Sequence, residues 1–232
     1  MSLAAHPSVL VGADLFGDLC EAGRQAALQA GAVRKIASGR TIFSQGDPGE
    51  TCHTLIEGRV KIIQGRPDGG RSVIRFIGPG EMFGTVAALM GRPFPADAVA
   101  VVECVEVYWT VGAMRRLMME NPQIALGSAE SAGRRLLELQ SRIGELTGER
   151  VEQRIARALL GLLGQAGRRT AAGIEIDFPI SRQELAEMTG STLHTVSRTL
   201  SAWDEARITA SSRRHIIVLR PAALRALAEG AS

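Results

Sequence analysis

Apolar residues follow different spacings in different parts of this chain, and the spacing changes near Arg34 and near Asn121. Before Arg34 the sequence is rich in alanine, and its apolar residues recur at helical spacing, which predicts short helices. Between Arg34 and Asn121, turn residues recur about every ten positions and separate short runs with β-strand composition. These runs are Thr41–Phe43, Thr54–Ile56, Val60–Ile63, Ser72–Ile77, Ala98–Val102 and Val105–Trp109. Many short strands at even spacing predict a small antiparallel barrel or jelly roll.

A long helix is predicted to begin at Asn121, because asparagine caps helices well and Pro122 suits the first helical position. Five apolar residues within it are spaced alternately by four and three, with charged residues beside them; they are Ala132, Leu136, Leu139, Ile143 and Leu146. In a helix between two domains, this heptad seam favours a dimeric coiled coil over a core helix. A further amphipathic helix is predicted over 149–163, followed by a linker over 168–178.

Two short helices joined by a glycine turn are predicted between Ser181 and Glu205. Ser181 and Glu184 have the spacing of a capping box, in which each side chain bonds a backbone N–H of the first turn. Gly190 is expected to end this helix. Ser191 and Thr192 can each cap the second helix, which runs through Glu205.

The second of these helices places apolar and polar residues on different faces. The face predicted to be buried comprises Leu193, Val196, Leu200 and Trp203. The polar face comprises His194, Ser197, Arg198 and Ser201. A tight helical pair whose second member presents a polar face is typical of a helix-turn-helix. An ordinary helical hairpin on the surface of an enzyme is the competing interpretation.

The residues after this helix strengthen the interpretation as a DNA-binding domain. Residues 208–219 resemble two short strands around a tip formed by Ser211, Ser212, Arg213 and Arg214. Hydroxyl and guanidinium groups at such a tip are the groups that reach phosphate oxygens. The order of helix, turn, helix and basic wing therefore predicts a winged helix, and Pro221 begins a last short helix.

Length and charge limit the classes of protein to which the chain can belong. At 232 residues it has room for two domains. We predict an α+β protein with a jelly roll over 1–120, a long dimerisation helix over 121–148 and a winged helix-turn-helix over 149–232. The net charge of +3 is too small for a protein that coats nucleic acid, so DNA binding should be local.

The three cysteines, Cys20, Cys52 and Cys104, are widely spaced and form no CxxC sequence. Neither a disulfide framework nor a thiolate metal cluster is indicated, and reduced thiols in a cytoplasmic protein are expected. No apolar run approaches the length of a membrane span, and no secretory signal is evident at the N-terminus. We therefore expect a cytoplasmic protein without a membrane partner.

The order of these elements resembles the bacterial Crp/Fnr transcription regulators over residues 35–220. The resemblance is carried by four segments: Gln45–Pro48, Glu57–Val60, Gly78–Gly84 and Ser181–Arg198. It implies a cyclic-nucleotide-binding-like jelly roll, a long dimer helix and a C-terminal winged helix. It also implies a homodimer that binds an inverted repeat in double-stranded DNA and contacts RNA polymerase.

The effector pocket departs from the cyclic-AMP-binding pattern of that family. Those members place a glutamate after the phosphate-loop glycine, whereas Thr85 follows Gly84 here. Pro95-Ala96 or Ala96-Asp97 stands where they have an arginine pair, and Arg92 is the nearest displaced cation. We therefore expect cyclic AMP to bind weakly or not at all. The predicted pocket residues are Gly84, Thr85, Val86, Arg92, Ala96 and Asp97.

Two other cofactors of the family are considered. The Fnr branch holds an iron–sulfur cluster on clustered N-terminal cysteines, and Cys20 alone lies in that region, which argues against a cluster. The recognition helix looks most like that of nitric-oxide-responsive denitrification regulators, some of which are thought to use haem. Haem therefore stays open as a cofactor, with His6 and His53 as candidate iron ligands.

The resemblance also assigns roles on the recognition helix, where the family has Glu-x-x-Ser-Arg or Glu-x-x-Gly-Arg. The predicted base-reading residues are His194, Ser197 and Arg198, and Arg198 is expected to contact guanine through two hydrogen bonds. His194 replaces the glutamate, which leaves the usual cytosine contact open. Predicted contacts to the DNA backbone are Ser181, Arg182, Thr192, Thr195, Ser201, Arg213 and Arg214.

The leading hypothesis is a homodimeric, sequence-specific transcription regulator whose jelly roll senses an effector. A haem-dependent nitric oxide sensor and a constitutive DNA binder with a vestigial pocket are alternatives within the same class. A cupin-like metalloenzyme is the alternative from another class. Jelly-roll oxygenases need two histidines and a carboxylate on one metal, whereas the four histidines here are scattered and form no His-x-His. We therefore predict no enzymatic activity and no metal site.

Overall fold

The computed structural model describes residues 7–146 and 150–230, apart from the side chains of Pro7, 135, 138, 139 and 141–146. The chain forms two compact units. Of the described residues, the first unit comprises 7–65 and 75–141, and the second comprises 66–74, 142–146 and 150–230. The division falls within the strand over Arg71–Ile77 and within the helix over Pro122–Leu146, both of which are described with the first unit.

The first unit begins with a short 3-10 helix over Pro7–Leu10 and helix α1 over Glu21–Ala30. Eight strands follow: β1 Ala32–Ile36, β2 Thr41–Phe43, β3 Thr51–Glu57, β4 Val60–Gly65, β5 Arg71–Ile77, β6 Met82–Phe83, β7 Asp97–Ala100 and β8 Cys104–Thr110. The helices of this part are α2 Thr85–Leu89, α3 Val111–Glu120 and α4 Pro122–Leu146.

The eight strands form two four-stranded sheets, ordered β1-β8-β3-β6 and β2-β7-β4-β5. The recorded pairs are antiparallel; in the first sheet, for example, Arg34 lies opposite Glu106 and His53 opposite Tyr108. Apolar side chains of both sheets form one core, which includes Phe43, Leu55, Ile77, Phe83 and Phe94. The predicted antiparallel jelly roll is therefore confirmed.

A second core joins the N-terminal helices to the outer side of the first sheet. Trp109 from β8 packs with Phe16, Leu28 and Leu117, and all four side chains are buried. The indole Nε1 of Trp109 donates a hydrogen bond to the carbonyl of Ala27 at 2.7 Å, so the ring's polar edge is satisfied inside the core.

Four elements of this unit were not predicted: β1, β6, α2 and α3. Strand β1 carries charged Arg34 and Lys35 in an exposed edge strand, so it lacks the apolar run of a central strand. Strand β6 has two residues and α2 has five, too few to establish a period. Helix α3 follows directly on β8, with Thr110 as its N-cap, so no turn residue separates the two.

Helix α4 has one buried face and one exposed apolar face. Ile124 and Ser131 are buried, and the Ser131 hydroxyl lies 3.5 Å from the Asp14 carboxylate. On the predicted seam, Ala132 is half-buried and Leu136 is 57% exposed. The side chains of Leu139, Ile143 and Leu146 lie outside the described residues. The described part of the seam is thus uncovered within a single chain.

The second unit contains α5 Val151–Ala166, α6 Arg182–Thr189, α7 Leu193–Glu205 and α8 Pro221–Glu229. Its strands are β9 Gly167–Arg169, β10 Ile174–Ile176, β11 Thr209–Ser211 and β12 Ile216–Val218, which form one sheet ordered β11-β12-β10-β9. The prediction of a plain linker over 168–178 is therefore wrong. These residues form a hairpin that extends the wing sheet through pairing of Ile174 with Val218.

Candidate nucleic-acid interface and effector pocket

The start of α6 is fixed by the predicted capping box, which is confirmed. The Ser181 hydroxyl accepts a hydrogen bond from the Glu184 N–H at 3.1 Å, and Glu184 Oε2 accepts from the Ser181 N–H at 2.8 Å. The Ser181 hydroxyl also donates to that carboxylate at 2.7 Å. Gly190 ends the helix with a φ of 59°, a left-handed conformation that glycine adopts without strain.

Helix α7 has a buried face and a solvent-exposed polar edge. Its buried side chains are Val196, Thr199, Leu200 and Trp203. On the other side, His194, Arg198 and Ser201 are exposed, and Ser197 is half-buried. The side chain of Arg198 makes no hydrogen bond or ion pair with any other described residue. The predicted polar face is thus presented to solvent.

One member of the predicted buried stripe is placed differently. Leu193 is the first residue of α7, and 48% of it is exposed. It lies one turn before Ser197, on the same side of the helix as the polar edge. The prediction that Leu193 is buried was wrong, because the first turn of α7 projects beyond the core that covers Val196 and Leu200. Thr199 occupies the fourth buried position instead.

A polar network joins α6, α7 and the wing. The Asp204 carboxylate accepts hydrogen bonds from Thr209 Oγ1 at 2.6 Å and from Ser211 Oγ at 2.5 Å. Arg182 Nη2 donates to the same Ser211 hydroxyl at 3.0 Å. The three elements are therefore held together by charge-assisted hydrogen bonds. Sequence reasoning did not identify Asp204, because an acidic residue on a predicted DNA-binding helix gives no signal for a structural contact.

The other predicted backbone contacts fall into two groups. The Thr192 hydroxyl accepts from the Thr195 N–H at 3.1 Å and so caps α7, and it lies 2.9 Å from the Thr195 hydroxyl. Arg213 and Arg214 are exposed at the turn between β11 and β12, and neither side chain bonds another described residue. This second unit thus presents two guanidinium groups at the wing and one on α7, a set suited to phosphate and guanine contacts.

A cavity of about 170 Å³ opens inside the jelly roll. It is lined by Phe43, Ile62, Arg75, Ile77, Met82, Phe83, Gly84, Val86, Ala87, Phe94, Pro95 and Ala96. Most of these side chains are aliphatic or aromatic. The rings of Phe43 and Phe94 stack with centroids 3.8 Å apart and form part of one wall.

The predicted pocket residues are only partly brought together. Gly84, Val86 and Ala96 line the cavity, whereas the other three predicted residues do not. Thr85 is buried beside Phe83, and the Asp97 carboxylate accepts from the Gln45 N–H at 2.7 Å. Arg92 is exposed and belongs to the turn after α2. Arg92, the nearest displaced cation in the sequence, therefore does not lie at this cavity.

The cation at the cavity is Arg75, on β5. Its Nη2 donates to the Glu81 carboxylate at 2.9 Å, and its Nε is buried without a hydrogen-bond partner among the described residues. A signal for it existed in the sequence. Arg75 lies two residues from Val73 and two from Ile77, and both of these are buried. Because residues two apart in a strand share a face, the sequence places the charged Arg75 on the inward-facing side.

His53 does not have the geometry of an available iron ligand. It is 2% exposed, and its Nε2 lies 2.8 Å from the Thr51 hydroxyl. Its Nδ1 lies 3.3 Å from the buried Glu106 carboxylate, which also accepts from Arg34 Nε at 2.6 Å. Because both ring nitrogens are engaged, coordination would require a hydrogen bond to break. His6 lies outside the described residues, so no described histidine on this side fits a haem.

No cluster of three or more histidine, cysteine or acidic side chains within residues 7–146 and 150–230 has the geometry to hold a metal ion. Within the same part of the chain, every helix is too short or too polar to cross a bilayer.

The three thiols should differ sharply in reactivity. Cys20 is exposed, whereas Cys52 and Cys104 are buried. Burial raises the pKa of the Cys52 thiol to about 12 and also raises the pKa of Cys104, which disfavours the reactive thiolate. Native protein should therefore react with iodoacetamide at one thiol, and Cys20→Ser should abolish that reaction. Rapid labelling of the Cys20→Ser variant before unfolding would contradict the buried placement.

A jelly roll followed by a long helix and a winged helix-turn-helix defines a class of DNA-binding transcription regulators. The family model of the cyclic nucleotide-binding domain matches residues 33–121, and that of the Crp-like helix-turn-helix domain matches residues 153–227. The chain therefore belongs to the Crp/Fnr family of transcription regulators.

Individual relatives agree with this assignment. The cyclic AMP receptor protein of Thermus thermophilus is 31% identical over 194 residues, which cover 84% of this chain and 87% of that protein. The nitrogen fixation regulation protein FixK of Rhizobium meliloti is 32% identical over 196 residues, covering 84% and 86%. The crystal structure of a CRP-family transcriptional regulator from Thermus thermophilus matches with a TM-score of 0.73 at 28% identity, covering 84% and 96%.

Proposed function

We propose that the chain is a homodimeric regulator that reads an inverted repeat in double-stranded DNA through α7 and the wing. The observation that carries this proposal is the exposed polar edge of α7, where Arg198 has no partner among the described residues. A side chain in that position enters the major groove when α7 lies in it. Arg213 and Arg214 would then contact phosphates, which carry affinity without sequence discrimination.

Dimerisation is proposed from the exposed apolar side of α4. Leu136 is 57% exposed in the single chain, on the seam that the heptad spacing defines. Leucine at such a position is stabilised when a second helix covers it. Two copies related by a twofold axis would present two α7 helices, which matches an inverted repeat with half-sites about one helical turn apart.

Effector control is proposed to act through the jelly roll. The cavity bounded by β4, β5, β6 and α2 is suited to a small molecule. A ligand there changes DNA affinity only if the ligand and the DNA each bind the two dimer arrangements unequally. DNA affinity rises if both favour the same arrangement and falls if they favour opposite ones. The apolar lining does not favour cyclic AMP as that ligand, because it offers the ribose hydroxyls no polar partner.

Selection of bound duplexes from a randomised library tests the DNA-binding proposal. The full-length protein should enrich an inverted repeat that contains a guanine in each half-site. Enrichment of a single, unrepeated sequence would contradict the dimeric arrangement. Failure to enrich any sequence above the starting library would contradict sequence-specific binding.

Leu193 should contribute a second, apolar element to this specificity. It is exposed at the start of α7, beside the polar edge, where its methyl groups can contact the C5-methyl of thymine. Burial of one methyl group is worth about 0.8 kcal/mol, so replacing that thymine with uracil should weaken binding roughly fourfold. Position-by-position uracil substitution in the selected duplex locates the effect.

The variant Leu193→Ala should bind the thymine and uracil duplexes equally. His194→Ala is the matched control, because it changes the neighbouring exposed residue and should leave the preference for thymine over uracil unchanged. If Leu193→Ala retained the full preference for thymine, another residue would contact the methyl group.

A further inference from the structure

The jelly-roll cavity combines an apolar wall with one cation. Arg75 is the one residue of this lining whose side chain carries a polar group, and the rings of Phe43 and Phe94, stacked on each other, belong to the apolar remainder. At about 170 Å³ the cavity is smaller than the roughly 300–1,000 Å³ of pockets for drug-sized molecules. Its occupant must therefore be small and largely apolar.

The donor pattern of Arg75 specifies the polar end of that occupant. One guanidinium nitrogen, Nη2, donates to Glu81 at 2.9 Å. The Nε group is buried and has no acceptor among the described residues. A buried N–H without an acceptor is costly, and a guanidinium pairs best with an oxyanion that can take two hydrogen bonds. The chemistry at this point calls for an anionic oxygen acceptor.

We propose that the cavity binds a small carboxylic acid whose apolar body lies against the phenylalanine wall and whose carboxylate accepts from Arg75. This inference deepens the proposed effector role of the jelly roll and rests on it. A cyclic nucleotide fits poorly, because its ribose hydroxyls would be buried where the lining offers them no polar side chain.

Calorimetric titration of the full-length protein with octanoate and phenylacetate tests the proposal. Octanamide is the matched neutral ligand, because it keeps the chain and removes the charge. At least one of the two acids should bind with saturation, and octanoate should bind about tenfold or more tightly than octanamide if it is the acid that binds. If phenylacetate alone binds, phenylacetamide serves as the neutral counterpart.

Three variants assign the binding to this cavity. Arg75→Met removes the cation at similar length and should weaken acid binding about tenfold or more. Ala96→Leu fills the cavity and should weaken acid and amide alike. Arg92→Met is the control, because Arg92 is an exposed arginine outside the cavity. Its replacement should leave the affinities for acid and amide unchanged. Thermal unfolding of each variant verifies that it is folded.

Several outcomes would overturn the proposal. These are the absence of saturable binding by both acids, equal binding of acid and amide, unchanged binding by folded Arg75→Met, and tighter binding of cyclic AMP than of either acid. DNA binding is measured on the same preparations. If the protein bound the acid but not DNA, the proposed regulatory function would be contradicted and the carboxylic acid proposal would stand. If it bound DNA but neither acid, the carboxylic acid proposal alone would be contradicted.

Discussion

Replacement of Arg198 by alanine is expected to cause the largest loss of operator affinity of any single change on α7. Its exposed guanidinium can donate two hydrogen bonds to the O6 and N7 of guanine, a pair worth about 1–3 kcal/mol. In a dimer the change occurs in both half-sites, so the total loss should be roughly 2–6 kcal/mol if the two half-sites contribute independently. Fluorescence anisotropy on the selected duplex measures it.

The control for this prediction is Arg214→Ala, which removes an equally exposed arginine from the wing. Its loss should weaken binding to all sequences alike and reduce the slope of affinity against salt by about one unit per subunit. Arg198→Ala should instead remove the preference for guanine at one position of each half-site. If Arg214→Ala lost that preference and Arg198→Ala kept it, the base-reading element would be the wing.

Replacement of Leu136 by aspartate is expected to convert the proposed dimer into monomers. Leu136 is exposed in one chain, so the change should cost the subunit itself little. In the dimer it removes two buried leucines, each worth about 1.5–3 kcal/mol, and brings two carboxylates together. Sedimentation velocity at micromolar concentration should report a single monomeric species, and operator binding should fall with it.

Leu137→Asp is the matched control, because Leu137 has the same chemistry and is 67% exposed on the same helix. It lies one position off the seam, about 100° around the helix, and should leave the dimer intact. If Leu136→Asp remained a dimer and Leu137→Asp became a monomer, the dimer interface would lie on another side of α4 than proposed.

The features predicted well from the sequence are those with a local physical cause. Ser181 and Glu184 satisfy each other's first-turn N–H groups through contacts three residues apart, so the start of α6 is determined by its own residues. The end at Gly190 likewise follows from a backbone conformation that glycine adopts freely. The strand runs around Val60 and Val105 were recognised because β-branched and aromatic residues are concentrated there between turn residues.

The features that were missed depend on tertiary placement. Leu193 was assigned to the buried stripe by its spacing, but how far the core extends toward the first turn of α7 is set by the rest of the domain. Arg75 was overlooked because the pocket cation was sought at the position that the family resemblance indicated, after Gly84. Strand periodicity within Val73–Ile77 would have placed it correctly. Strands β9 and β10 have three residues each, too few for any period.

The central claim is that two copies of the chain read the two halves of one inverted repeat. Hydroxyl-radical footprinting of the full-length protein on the selected duplex tests it directly. The account predicts two protected segments related by twofold symmetry, with centres about one helical turn, or 10–10.5 base pairs, apart. A single protected segment, or two segments in the same orientation, would contradict it.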